Sequence, residues 1–353
     1  MGERNSTPSD DSPDPILQGI FHSLDEWLED YSTATTQAGQ RAAVGIKLLK
    51  SMVQYAPILP LHDGHPRGQA AIIRDIVECE GDKTKLKALV AVYRDHFLVP
   101  VRAAGGRTSK VTDNPSRLSD DNVRTEMGNT LVDPKRDQER MKRLALERDG
   151  GKCVITHTPD IDAYIAHQER YPNARDTSPL VLVHILPFSL NKVTKQADIK
   201  QSSPVWTTIT MFSGIQLNEL HGTGINRIEN VMMLTLDAHT FFGQLNVWLE
   251  PVENQPNRYR LKKVDKAYMM STPQDTMMDL DSHSDGAALL APDPRYLRLH
   301  AACAKIVRAS GAAKYIDEFL YDYESLKTLG NDGSHHYLLE QALSLVATLV
   351  EEQ

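Results

Sequence analysis

The segment Leu180–Leu186, LVLVHIL, constrains the fold more than any other. It is a continuous β-rich run with one polar residue, His184, in its middle, and Pro187 closes it, so it reads as a strand. Further strand candidates are Asn230–Leu234 (NVMML), Leu245–Leu249 and Tyr259–Val264, and Cys153–Thr156 has the same β character. Around them the spacing is helical. Leu17, Ile20, Leu24, Trp27, Leu28 and Tyr31 recur at helical intervals, and further helices are predicted over 42–55, 70–80, 83–97 and 135–149. Pro204–Phe212 and Leu236–Phe242 read as short helices between the strands, and 296–310, 312–329 and 337–350 as helices after them. The expected class is α+β, with mostly helical N- and C-terminal regions around a small central ββα unit.

The chain divides by composition. Residues 1–15, rich in Ser, Pro and Asp, read as a disordered tail, and 16–134 as a helical region ending in a linker, because 105–134 carries many turn formers and few large apolar residues. The central α+β domain is expected over 135–265, followed by a loop and C-terminal helices over 266–353. No internal repeat is evident.

With 353 residues and 41% apolar content the chain can bury a sizeable core. No apolar run approaches the roughly 18 residues of a bilayer span, so no membrane partner is expected. The N-terminus lacks an apolar secretory segment, and three cysteines (Cys79, Cys153, Cys303) show no paired spacing. Both features point to an intracellular, cytoplasmic protein. The formal charge is −8, yet residues 1–30 hold eight acids against Arg4 alone. The remainder is nearly neutral, with basic segments at Lys135–Arg148 and Arg258–Lys266, so charge leaves a nucleic-acid partner undecided.

His184, Asn230 and His239 carry the chemical signal. A strand bearing His, a second element bearing Asn and a following helix bearing His are the parts of a ββα-metal nuclease site. GGKCVITH, then VLVHILPFSL, then IENVMMLTLDAHTFFGQLNVWLEP and NRYRLKKV resemble the HNH-nuclease-like domain of many fungal proteins, over roughly residues 85–330. The flanks AVYRDHFLVPVRAAGG and LHAACAKIVRASGAA look similar too. The resemblance implies that His184 acts as general base on water, that Asn230 holds the imidazole's other nitrogen, and that His239 helps hold a divalent ion.

Val183 argues against that ion. In HNH patterns the residue before the general-base His is an Asp or a second His that supplies another ligand, and valine has nothing to donate. Mg²⁺ wants oxygen ligands, and Zn²⁺ takes about three protein ligands, of which only His239 is evident. Asp237 would point to another side of the helix, and His157, Asp160, Asp162, His167 and His221 lie in loops that the sequence cannot place. No cofactor is therefore expected, with Mg²⁺ or Zn²⁺ implied only under the nuclease alternative.

The leading expectation is an HNH-like scaffold repurposed as a metal-independent enzyme acting on a small apolar molecule. Proteins of this resemblance occur in fungal secondary-metabolite biosynthesis, which suggests a cyclase or pericyclase. The alternative is a metal-dependent HNH DNA endonuclease using His184 as general base, under which a nuclear location is also open; the second alternative is a non-catalytic binding or regulatory protein. The blander readings are a structural pair for His184 and His239, a small buried residue for Cys153, and core filler for the methionine pairs. Lys135–Arg148 is expected as a solvated helix face and His335-His336 as a loop.

Overall fold

The computed structural model describes residues 15–102, 134–186, 204–220, 225–264, 272–281 and 290–318. The chain is α+β. It opens with α1 (Pro15–Glu29), α2 (Gln37–Tyr55), α3 (Gln69–Val77) and α4 (Lys83–Tyr93). The Thr36 hydroxyl accepts from the Gly39 amide at the start of α2, and the Asp82 carboxylate accepts from Thr84 and Lys85 at the start of α4, so each helix begins where a side chain replaces missing backbone partners. Between α2 and α4 the backbones approach closely: a Cβ on Gly45 would lie 3.0 Å from Val90. α4 continues through a π-helical turn, Arg94–Leu98, into α5 (Val99–Arg102). That turn sends Phe97 against Phe212, with ring centroids 4.4 Å apart.

The middle of the chain holds α6 (Pro134–Arg148), α7 (Ile161–Ala166), β1 (Leu180–His184), α8 (Pro204–Ser213) and α9 (Leu217–Leu220), then β2 (Val231–Thr235) and α10 (Leu236–Gly243). β1 and β2 pair antiparallel, with Leu180 opposite Thr235 and His184 opposite Val231. β3 (Val247–Pro251), β4 (Arg258–Lys263) and β5 (Met277–Asp279) form a second antiparallel sheet in that order. α11 (Pro294–Ser310) begins with Asp293 as its cap and Pro294 in its first turn, and ends at Gly311, whose φ of 74° is readily adopted only without a Cβ.

α11 packs across both α2 and β3, and one continuous apolar core runs from Ile20 to Ile316. The helical and α+β segments therefore do not bury separate cores. Predicted helices at 135–149, 204–212, 236–242 and 296–310 correspond to α6, α8, α10 and α11. Residues 1–14 of the expected 1–15 tail, 105–133 of the 105–134 linker, and the helix expected over 337–350 lie outside the described residues, while Pro15 and Pro134 each open a helix.

Two local expectations differ. Cys153–Thr156 is a turn rather than a strand: the Cys153 amide donates to Thr158 O, the His157 amide donates to Cys153 O, and His157 takes a φ of 57°. β5 falls in a segment that reads as loose; its three residues are too few to show a periodicity.

The outer edge of β2 is closed by side chains. On the side away from β1, Val231 O, Met233 N, Met233 O and Thr235 N face no further strand among the described residues. Arg148 Nη2 donates to Val231 O at 2.7 Å and Asp149 Oδ2 accepts from Met233 N at 2.9 Å. Val154 N donates to Met233 O, and Cys153 Sγ accepts from Thr235 N. Arg148 is completely buried and paired with Asp149, with Nε donating at 2.6 Å. Its Nη1 also donates to Ile228 O. The helix that reads as a solvated basic face thus ends on a buried cation.

Removing one member of a buried pair leaves the other charge uncompensated. Arg148→Met is expected to lower unfolding free energy by about 3–5 kcal/mol in urea titration, whereas Lys83→Ala, which breaks the exposed pair with Asp30, is expected to cost under about 1 kcal/mol.

Candidate functional site

His184 closes β1, and His239 lies in the second turn of α10, which follows β2 without a linker. Thr235 makes that junction. It is the last residue of β2, and its hydroxyl accepts from Ala238 N as the cap of α10. His239 consequently faces the interior at 5% exposure, while His184 is half-buried. Burial is the main cause that lowers the His239 pKa, and the charge that His184 would carry lowers it further, so the two rings lie within electrostatic reach. His184 is also held below the ordinary imidazole value, by burial, against the opposing effect of Asn226. Both rings are therefore favoured in their neutral forms.

Asn226 is the residue that sequence reasoning misses. Its side-chain oxygen lies 2.9 Å from His184 Nε2. An amide oxygen only accepts, so His184 Nε2 is the donor in this contact. The available signal was the spacing of Asn226 and Asn230, four residues apart immediately before the strand.

Asn230 does not play the part expected of it. It is fully buried, and both amide hydrogens are used on backbone carbonyls, Leu186 O at 3.1 Å and Ile225 O at 2.9 Å. Its Oδ1 accepts from Leu186 N at 2.9 Å, and its backbone oxygen accepts from Ile185 N. Asn230 thus ties the chain just after His184 to the chain just before Asn226. It positions both partners through the backbone, and the imidazole contact falls to Asn226.

Of the three residues singled out, His184 and His239 come within electrostatic reach, and Asn230 braces the segment that follows His184. The remaining ligand candidates go elsewhere. Asp160 caps α7 and accepts from Leu180 N, holding the start of β1. His167 lies beside Glu169 on the surface, Asp237 is exposed, and His221 lies outside the described residues. Val183 is buried at 3% and, by the alternation of a strand, faces away from His184. His239 Nδ1 is buried and has no hydrogen-bond partner among the described residues. No three His, Cys, Asp or Glu side chains come together in a metal-holding group there. The described residues do not fit a divalent ion at this site.

Neither a protein-family model, nor a curated protein, nor a solved structure matches the chain. No helix among the described residues is long and apolar enough to cross a membrane.

A third imidazole supports the site from below. His300 of α11 stacks on Phe242 of α10, with centroids 3.7 Å apart and planes 4° from parallel. Its Nε2 donates to Phe242 O at 3.0 Å. The ring fixes α10 from the core side, and complete burial pushes its pKa down to about 4.

His184, His239 and His300 are all shifted in the same direction. In the unfolded chain each takes a proton near pH 6.5. The fold resists that proton, so stability is full above this value and falls as pH drops toward the folded pKa of about 4 for His300. His300 alone is expected to remove about 2 kcal/mol between about pH 7 and about pH 5, and His300→Gln should flatten that slope in urea titrations. Asn230→Ala leaves Leu186 N, Leu186 O and Ile225 O without their partner, with an expected loss of about 2–4 kcal/mol by the same measurement.

Proposed function

We propose that His184 and His239 serve a metal-independent enzyme acting on a small, largely apolar organic molecule, on a strand–strand–helix unit related to the HNH-nuclease-like domain. The observation that supports this reading is the pair of imidazoles brought within electrostatic reach, His184 held by Asn226 and both favoured toward their neutral forms by burial. A neutral imidazole can accept a proton or a hydrogen bond at neutral pH.

The reaction favoured is a ring closure of the cyclase or pericyclase kind, as in fungal secondary-metabolite biosynthesis. Such chemistry needs a reactive conformer held in place, and orientation alone can lower a barrier by several kcal/mol. His184 would bind or deprotonate a polar group of the substrate. His239, a turn into α10, would hold a second polar atom or shape the wall. The three free, buried cysteines accord with an intracellular, cytoplasmic setting.

The test uses the small molecules that accumulate in a source strain lacking this gene. EDTA-treated full-length protein is expected to consume one of them, and His184→Ala to slow that consumption by about 100-fold or more while melting as the wild type does. Consumption that needs added Mg²⁺ or Zn²⁺, or nicking of supercoiled plasmid that His184→Ala abolishes, would replace this reading with the endonuclease. Consumption unchanged in His184→Ala would remove the ring from the chemistry, and a melting transition lost with it would make the ring architectural.

A further inference from the structure

Away from the two imidazoles, a cleft of about 170 Å³ opens between the segment after α2, the end of α8 and the first turns of α11. His184, Asn230 and His239 do not line it. Three guanidinium groups do: Arg67, Arg295 and Arg298. Gathering three like charges in so small a space is unfavourable unless anions answer them.

Only one of the three is answered. Arg295 donates to both carboxylate oxygens of Glu219, at 3.2 and 2.6 Å, and to Asp293. Arg67 and Arg298 have no hydrogen bond or ion pair among the described residues, and Arg67 Nε is buried without a partner. A carboxylate in the cleft would answer the guanidinium charges of both.

Part of the remaining wall is apolar. Leu59, Phe212 and Leu299 line the cleft, and Phe212 is held against Phe97. Gly214 leaves the room in which the Arg67 guanidinium lies: a Cβ there would sit 3.3 Å from Leu59 Cδ1 and 3.5 Å from Arg67 Nη1, and its φ of 74° disfavours any side chain. Inorganic phosphate would satisfy the charges and leave the apolar wall uncovered. A cavity of roughly 150 Å³ holds benzene, so the volume suits an anion with a body about the size of one ring.

We infer that this cleft is a binding site for a small organic monocarboxylate, its carboxylate held by Arg67 and Arg298 and its body against Leu59, Phe212 and Leu299. The planar fork of Arg67 matches the two oxygens of a carboxylate. Arg298 supplies the second charge from the neighbouring helix. The inference does not depend on the chemistry proposed for His184 and His239.

Benzoate is the probe, titrated into the full-length protein by calorimetry and followed by the methyl resonances of Leu59 and Leu299. It is expected to bind at millimolar concentration or below, with benzamide and inorganic phosphate each weaker by about tenfold or more. Arg67→Gln is expected to weaken benzoate by about tenfold, and Arg67→Lys by less. Arg298→Gln, on an exposed position that leaves the fold intact, should weaken it about threefold, and added salt should weaken it further. Three results overturn the assignment: no benzoate binding below roughly 10 mM, phosphate binding as tightly as benzoate, or Arg298→Gln and Arg67→Gln both binding as the wild type does.

Discussion

A two-stranded ribbon leaves two rows of unpaired backbone groups, and the way this chain answers one of them decides the rest of its centre. The outer edge of β2 is met by a buried arginine and its neighbouring aspartate, by the Val154 amide and by a cysteine sulfur. Four different groups replace a third strand. Because Arg148 also reaches Ile228 O, the same cation fixes the turn that leads into β2 and carries Asn230. The Arg148–Asp149 pair therefore sets where β2 lies, and β2 in turn sets β1 and α10. A buried pair of this kind adds little net stability over apolar packing.

Much of the fold was legible in the sequence. Helical spacing of Leu17, Ile20, Leu24 and Leu28 marks α1, and LVLVHIL marks β1, because burial on one helix face or in a short strand leaves a periodic trace. The edge closure left no such trace. Arg148 and Asp149 look like the solvated end of a charged helix, since nothing local reveals that the helix end meets a strand edge some eighty residues on. The Cys153 turn is hidden for a related reason: its β-branched residues suit a strand, but its hydrogen bonds close on themselves.

The site divides in the same way. The pairing of His184 with His239 follows from a strand, a strand and a helix in succession, and their residue types announce it. Which asparagine touches the ring does not follow, because Asn226 and Asn230 differ only in three-dimensional placement. Asn230 spends its whole amide on the backbone, and that leaves the less buried Asn226 to accept from the imidazole. His300 was invisible as a site residue, since a histidine inside an apolar helix pattern gives no sign that it stacks beneath another helix.

Thr235 belongs to a strand and a helix at once, and no loop residue separates them. The distance between the two imidazoles is thus a property of ribbon register rather than of a hinge. Inserting or deleting a single residue within β1 would turn His184 to the side now occupied by Val183 and carry the valine toward His239. The two strands must therefore keep their count of residues, whatever the outer loops do.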